Sequence, residues 1–329
     1  MDRRRFVGSI AGGLIVVVPL STRAQSARIP RIGYVSGTGS TADQGPYVEA
    51  LRRGLRDLGQ TEGRDYAIEY RGAEGRLDNV PRQIDELVRL KVDVIVAPIP
   101  VAIRAAKLAT KTIPIVMVTG LDPVEGGIVD SLARPGGNIT GVVTLAQDLD
   151  AKRMELLKEV VPRLSRVAVL WAPKDSTSTT HFKQYDAAAA GLKIELQSLE
   201  VQLYDPDIDS AFQSAVNARA DAMITITTAS LFVEQKRIVD LAIKNRLPTI
   251  FQGSTWVESG GMMSYSTDDF LAIRIAAGYV NKILKGAKPA DLPVEQLAKF
   301  ELAMNLKTAK AIGVTMPQGV LLRADKVVQ

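Results

Sequence analysis

Asp122-Pro123-Val124-Glu125-Gly126-Gly127-Ile128-Val129-Asp130-Ser131-Leu132-Ala133-Arg134-Pro135-Gly136-Gly137-Asn138-Ile139-Thr140-Gly141 lies between two apolar runs, 114–118 and 139–144, each of strand length. Asp122 followed by Pro123 reads as a helix start. The carboxylate accepts an orphan N–H, and proline at the first helical position gives up no hydrogen bond. Glu125, three residues on, completes an acidic variant of the capping box. Pro135-Gly136-Gly137-Asn138 then forces a tight turn into the next strand. The stretch is therefore predicted as a strand, a loop at its carboxyl end, a short helix and a turn. In open α/β sheets that loop is where ligands bind, although capping alone also explains Asp122.

The same alternation extends in both directions. Strands are predicted over 31–35, 66–70, 92–97, 115–118 and 139–144. Helices are predicted over 46–58, around Val80, Ile84, Leu87 and Val88, and over 102–109. A second unit repeats the logic. Lys152, Met154, Leu156, Leu157 and Val160 mark a helix before a strand at 166–171. Helices follow at 182–190, 209–218 and 232–245, with strands at 194–199, 222–226, 248–251 and 262–265. A long helix (268–285), a strand (299–304) and a short helix (306–312) finish the chain. Repeated strand–helix alternation gives an α/β protein with parallel sheets covered on both faces.

The first two dozen residues read as an export signal. Arg3-Arg4-Arg5 supplies charge, Ile10 to Leu20 an apolar core, and Thr22-Arg23-Ala24 the small residues for cleavage after Ala24. Arg3-Arg4 followed by Phe6 suggests the twin-arginine route. The apolar run is shorter than the roughly 20 residues of a membrane span, so no stable insertion is expected once the signal is cut. The 329-residue chain carries 41 basic and 36 acidic residues. Removing 1–24 takes Arg3, Arg4, Arg5, Arg23 and Asp2, leaving 37 and 35, a net charge near +2. Much of the basic balance therefore belongs to the signal and is no argument for nucleic acid. There is no cysteine, which excludes disulfides, thiolate catalysis, thiolate zinc sites and a lipid-bearing N-terminal Cys. About 305 remaining residues favour two domains.

Catalytic motifs are absent. Gly37-Thr38-Gly39-Ser40-Thr41-Ala42 imitates a dinucleotide loop, but Gly45-Pro46 delays the helix and no acid follows at the required spacing. Asp205-Pro206-Asp207-Ile208-Asp209 imitates a calcium loop, but Ser210 stands where glycine is needed and Val216 where glutamate is needed; a turn with an Asp cap explains it. His181 is the only histidine. It has no acid at relay spacing and is expected at the surface, with no metal role. Arg52, Arg53 and Arg56 read as one solvated helix face. There is no P-loop, no G-x-S-x-G and no H-E-x-x-H. No catalytic residue, metal ligand or cofactor site is expected.

Several stretches together resemble a known family. They are 63–71 with its core Ile68-Glu69-Tyr70-Arg71, Val92-Asp93-Val94-Ile95-Val96, Ile113-Pro114-Ile115-Val116, and Ser131 to Gly141 of the opening stretch. To these add Gly260-Gly261-Met262-Met263-Ser264-Tyr265, Ile283-Leu284-Lys285-Gly286 and the tail 305–313. Over 31–328 the chain resembles ABC-transporter substrate-binding proteins of the group that includes tryptophan and aromatic-amino-acid binders. Thr227-Thr228-Ala229 departs from the more acidic or proline-containing loop of relatives, which leaves the ligand class open.

The resemblance implies a periplasmic binding protein type I-like fold: two doubly wound parallel-sheet lobes with an interdomain cleft. One lobe would take 30–147 and 268–295, the other 148–267 and 296–329, with crossings near 146–149, 266–268 and 293–299. It further implies capture of a small organic solute, amino-acid-like or an aromatic carboxylate, and its delivery to a membrane permease from the periplasm, without catalysis. An exported α/β enzyme acting on a small polar substrate is the alternative. Repressors share the fold, but a signal stands here where their DNA-binding helices would be.

The ligand-contacting candidates are the lips of the cleft-facing strands. They are Ser36, Gly37 and Thr38; Pro98 and Ile99; Thr119, Gly120 and Asp122; Trp171, Asp175 and Ser176; Thr227 and Thr228; Phe251 and Gly253. Hydroxyls and backbone N–H groups suit a carboxylate. Trp171 or Phe251 would stack on the solute body, unless both pack inside their lobes.

Overall fold

The computed structural model describes residues 28–40, 42–144 and 149–329. The expected export signal with its expected cleavage point after Ala24, and residues 145–148 of the first expected crossing, lie outside the described residues.

The first sheet is wholly parallel, in the order β11-β5-β4-β3-β1-β2. Its strands are β1 (Arg31–Ser36), β2 (Ala67–Gly72), β3 (Val94–Ala97), β4 (Ile115–Thr119), β5 (Ile139–Thr144) and β11 (Glu295–Leu297). Side chains alternate between its faces. Ile32, Tyr34, Val94 and Val96 pack under α1 (Gly45–Asp57) and α10 (Asp269–Leu284). Val35, Ile95 and Ala97 pack under α2 (Val80–Arg89) and α3 (Pro100–Ala109). Both faces are covered, so β3, β4 and β5 are buried at every position. The α1–α10 contact depends on Gly54: a Cβ there would lie 2.8 Å from the Cβ of Ala277.

The second sheet has the order β13-β12-β10-β9-β8-β6-β7. It comprises β6 (Arg166–Trp171), β7 (Glu195–Glu200), β8 (Ala222–Thr225), β9 (Thr249–Phe251), β10 (Met263–Thr267), β12 (Phe300–Asn305) and β13 (Lys326–Val328). Only β12 runs antiparallel to a neighbour, β10. The covering helices are α4 (Leu149–Val160), α5 (Ser176–Leu192), α6 (Ile208–Asn217), α7 (Ala229–Val233), α8 (Gln235–Lys244), α9 (Ser254–Glu258), α11 (Leu306–Ile312) and α12 (Gln318–Leu321). They close two apolar layers, one on each face of the sheet.

The chain passes between the sheets between β5 and α4, between β10 and α10, and between β11 and β12. The last passage follows Leu297, two residues beyond the boundary expected at 295. The short helix expected after Asp122 is a single turn. Asp122 Oδ1 does accept the N–H groups of Val124 and Glu125, at 2.8 and 3.1 Å, but Gly126 and Gly127 follow. Gly127 takes φ 61°, which ends the turn before a helix can propagate. The helix expected over 232–245 is split at Glu234 into α7 and α8.

Candidate functional site

The carboxyl ends of β1, β3, β4 and β5 face the loop after β8 and enclose a cavity of about 270 Å³ between the sheets. Ser36, Gly37 and Thr38 come from the end of β1, Pro98, Ile99 and Pro100 from the end of β3, and Thr119 and Gly120 from the end of β4. Thr227, Thr228, Ala229 and Phe232 close the opposite side. Tyr34, Tyr47, Val118, Thr144, Asp269 and Ile273 complete the lining.

Local hydrogen bonds set these loops. Ser36 Oγ accepts the Thr38 N–H at 3.2 Å, and Thr119 Oγ1 accepts that of Leu121 at 3.0 Å. The Thr228 hydroxyl caps α7 by accepting the Leu231 N–H at 3.2 Å. The Thr227 N–H donates to Gln252 Oε1 at 2.8 Å, while its own hydroxyl is buried without a partner.

Asp269 carries the one acidic or basic side chain among the described lining residues. Burial pushes its carboxyl up to about 6, with Asp268 adding to the rise; the Thr267 hydroxyl, donating to Oδ1 at 3.0 Å, and the Arg153 charge oppose it. The charged form is favoured above that value. Burial first, then the Asp269 charge, raises Tyr47, and burial also raises Tyr34, so both phenols stay neutral.

The lobes touch at the mouth of the cavity. A Cβ on Gly75, which has φ 80°, would lie 3.2 Å from both the Ser230 Cα and a Val233 methyl. The Arg76 guanidinium lies 5.6 Å from the Tyr204 ring centroid, and burial, with the nearby Asp78 carboxylate, raises the Tyr204 phenol.

The sequence pattern of the ABC transporter substrate binding protein family matches residues 42–328. The chain belongs to that family. Its fold is the type I periplasmic-binding fold. A tyrosine-binding protein of Clostridioides difficile (strain R20291) is 28% identical over 273 residues, covering 81% of this chain and 77% of that protein. A conserved domain protein of Vibrio cholerae superposes with a TM-score of 0.78 at 26% identity, over 91% of this chain and 100% of the other. An ABC domain from Streptococcus pneumoniae in complex with L-Trp gives 0.77 at 24%, over 91% and 99%. The chain is a binding protein and not an enzyme.

In this substrate-binding protein nine of the expected site residues meet at the cavity: Ser36, Gly37, Thr38, Pro98, Ile99, Thr119, Gly120, Thr227 and Thr228. Asp122 stands in a neighbouring hollow with Arg104 and Glu125, which shares Pro100 and Thr119 with the cavity. Trp171 lies inside its lobe, stacked on Phe182 at 4.2 Å, with its indole N–H donating to Ser198 Oγ at 2.8 Å. Phe251 is buried against Trp256 at 4.5 Å. Asp175 caps α5 through the Ser178 N–H, and Ser176 begins that helix. Gly253 precedes α9 at φ 150°. Trp171, Phe251, Asp175 and Gly253 do not line the cavity.

The reading of Tyr34, Tyr47, Val118, Thr144, Ala229, Phe232, Asp269 and Ile273 missed their role in the lining. Asp268-Asp269 read as a helix start at a lobe crossing and not as cavity lining; Asp268 does cap α10, accepting the Leu271 N–H at 2.9 Å. The placement of His181 is corrected. Its Nδ1 hydrogen-bonds Asp150 Oδ2, an acid 31 residues away that α4 brings alongside α5. Asp150, fully buried, also takes Arg153 Nη1 at 2.6 Å, and Arg153 Nε donates to the Tyr265 carbonyl at 2.6 Å. Among the described residues no group of three or more His, Cys, Asp or Glu is placed to hold a metal. Asp207 caps α6 through the Ser210 N–H at 3.1 Å.

Proposed function

We propose that this protein is the periplasmic receptor of an ABC importer, which captures one small organic solute between its lobes and hands it to a membrane permease. The observation that carries the reading is the cavity itself: loops from both sheets line it, and the lobes are joined only through the passages between β5 and α4, β10 and α10, and β11 and β12. Such a joint closes by hinge motion about element ends. The lobes that move are 30–147 with 268–297 and 148–267 with 298–329. Export would follow cleavage after Ala24, by the twin-arginine route. Among the described residues no helix is long and apolar enough to cross a membrane.

The solute is amino-acid-like or an aromatic carboxylate. A cavity of about 270 Å³ suits one molecule of that size. The hydroxyls of Ser36, Thr38, Thr119, Thr227 and Thr228 suit a carboxylate, and Tyr34, Tyr47 and Phe232 offer ring faces. The relatives named for tyrosine and crystallised with L-Trp point the same way. A thermal-shift screen of amino acids, aromatic acids, nucleosides and sugars tests it. A ligand at 100 times its Kd adds about 2.7 kcal/mol of stability. No shift with any amino or aromatic acid would count against the reading.

A further inference from the structure

We propose that Asp269 is the residue that recognises a cationic amino group, so that the solute is a zwitterionic amino acid and not an aromatic acid, a nucleoside or a sugar. This rests on the receptor reading above and names the chemistry that the cavity selects.

The cavity is lined on every other side by hydroxyls, phenols, backbone and apolar groups, so the charge of Asp269 meets no lining counter-ion. No Lys, Arg or His forms an ion pair with it among the described residues. Arg153, whose charge acts on it from further off, is committed to Asp150 and the Tyr265 carbonyl. The side-chain hydrogen bond to the Asp269 carboxyl comes from Thr267 and engages Oδ1.

Helix capping does not account for Asp269. Asp268 fills that role through the Leu271 N–H and pairs with Lys299 at 3.5 Å. Asp269 instead ends the passage from β10, where the chain enters the lobe floor beside Tyr47 and Ile273. A half-buried carboxylate facing a cavity without a counter-ion gains from a cation that reaches it. An ammonium group supplies that cation together with charge-assisted hydrogen bonds. An aromatic acid brings a second negative charge into the same space, and a neutral sugar leaves the carboxylate uncompensated. The hydroxyls on the ends of β1 and β4 and on the β8–α7 loop remain for the carboxylate of the amino acid.

The test is calorimetric titration of the mature protein. The twenty L-amino acids are screened first. The best binder is then compared with its deamino acid and its decarboxylated amine, in wild type and in Asp269→Asn. We expect the deamino acid to bind wild type at least about 100-fold more weakly than the amino acid. We expect Asp269→Asn to lose most of that preference while melting no lower than wild type. A deamino acid that binds wild type within about threefold of the amino acid overturns the proposal, since that gap is far below the value of a charged hydrogen bond. So does an intact preference in Asp269→Asn. The wild-type comparison decides alone if the variant does not fold. Failure of all twenty amino acids to bind overturns the proposal too, and only that outcome reaches the amino-acid arm of the receptor reading.

Discussion

Replacing Asp150 by alanine should unfold the second lobe far more readily than any surface change. Asp150 and Arg153 are 0% and 3% exposed, and the pair is closed at 2.6 Å. The carboxylate also receives His181 and, at 3.4 Å, Gln252 Nε2. Removing it leaves the Arg153 guanidinium buried with the Tyr265 carbonyl and the Tyr185 hydroxyl as its neutral partners. Breaking one side of a buried pair costs about 3–5 kcal/mol. Removing both charges, as in Asp150→Leu with Arg153→Met, should cost much less, because no uncompensated ion remains. Urea unfolding followed by tryptophan fluorescence is the right assay. The two tryptophans, Trp171 and Trp256, both belong to the second lobe, so the signal reports the part that was changed. A loss below about 1 kcal/mol in the single variant, the size of an exposed pair, would mean that water reaches Arg153 and that the cluster is not a buried charge network.

The remaining predictions follow the same site outward. Asp269, raised to about 6 when folded and near 3.9 when unfolded, takes up its proton in the native state first; relative to Asp269→Asn, wild type should gain stability as pH falls from about 6 to about 4, while affinity for an amine-bearing solute falls over the same window. Parallel melts and titrations across that range check both signs. Asp122→Ala removes the acceptor for two N–H groups and should cost about 1 kcal/mol in a denaturant melt, with solute affinity unchanged by calorimetry, because the side chain stands in the neighbouring hollow. The radius of gyration from small-angle scattering should fall on adding a bound solute, with circular dichroism unchanged, and Tyr204→Ala, which removes the cross-lobe contact to Arg76, should weaken that response; an identical profile with binding confirmed in the same sample would exclude hinge closure. N-terminal sequencing of the exported protein should begin at Gln25, and a product that keeps 1–24 in a membrane fraction would exclude cleavage there.

Much of the architecture was legible because parallel strands covered on both faces read as unbroken apolar runs. Val94 to Ala97 and Ile139 to Thr144 are such runs, and the glycine and hydroxyl residues after β1, β4 and β8, with the prolines after β3, mark their carboxyl ends. The three-residue strands β11 and β13 were not legible, since three residues carry no period. Trp171 sits at a strand end like the residues that do line the cavity, but it shares a face with Val167 and Val169, which alternation along β6 puts in the core. Phe251 is covered by Trp256, which lies on α9, a helix the sequence pattern did not announce. The link from Asp150 to His181 is tertiary, made by two helices that lie side by side.

Asp269 was hidden for a different reason, and that reason bears on how the receptor would work. At a helix start an acid is expected, so the sequence offers no cause to look further. Its position takes meaning only from the chain path: it stands where β10 of one sheet gives way to α10 over the other. On the proposed hinge, closing the lobes would withdraw this half-buried carboxylate further from water, since Thr227, Thr228 and Phe232 line the same cavity from the other lobe. Desolvation makes the unpaired charge costly and the paired charge strong. An ammonium ligand is therefore worth more in the closed arrangement than in an open one. That difference in affinity between the two states is the requirement for a solute to drive closure, since a ligand bound equally well by both would shift nothing. The same carboxylate would then serve both to choose the solute and to couple its arrival to the hinge.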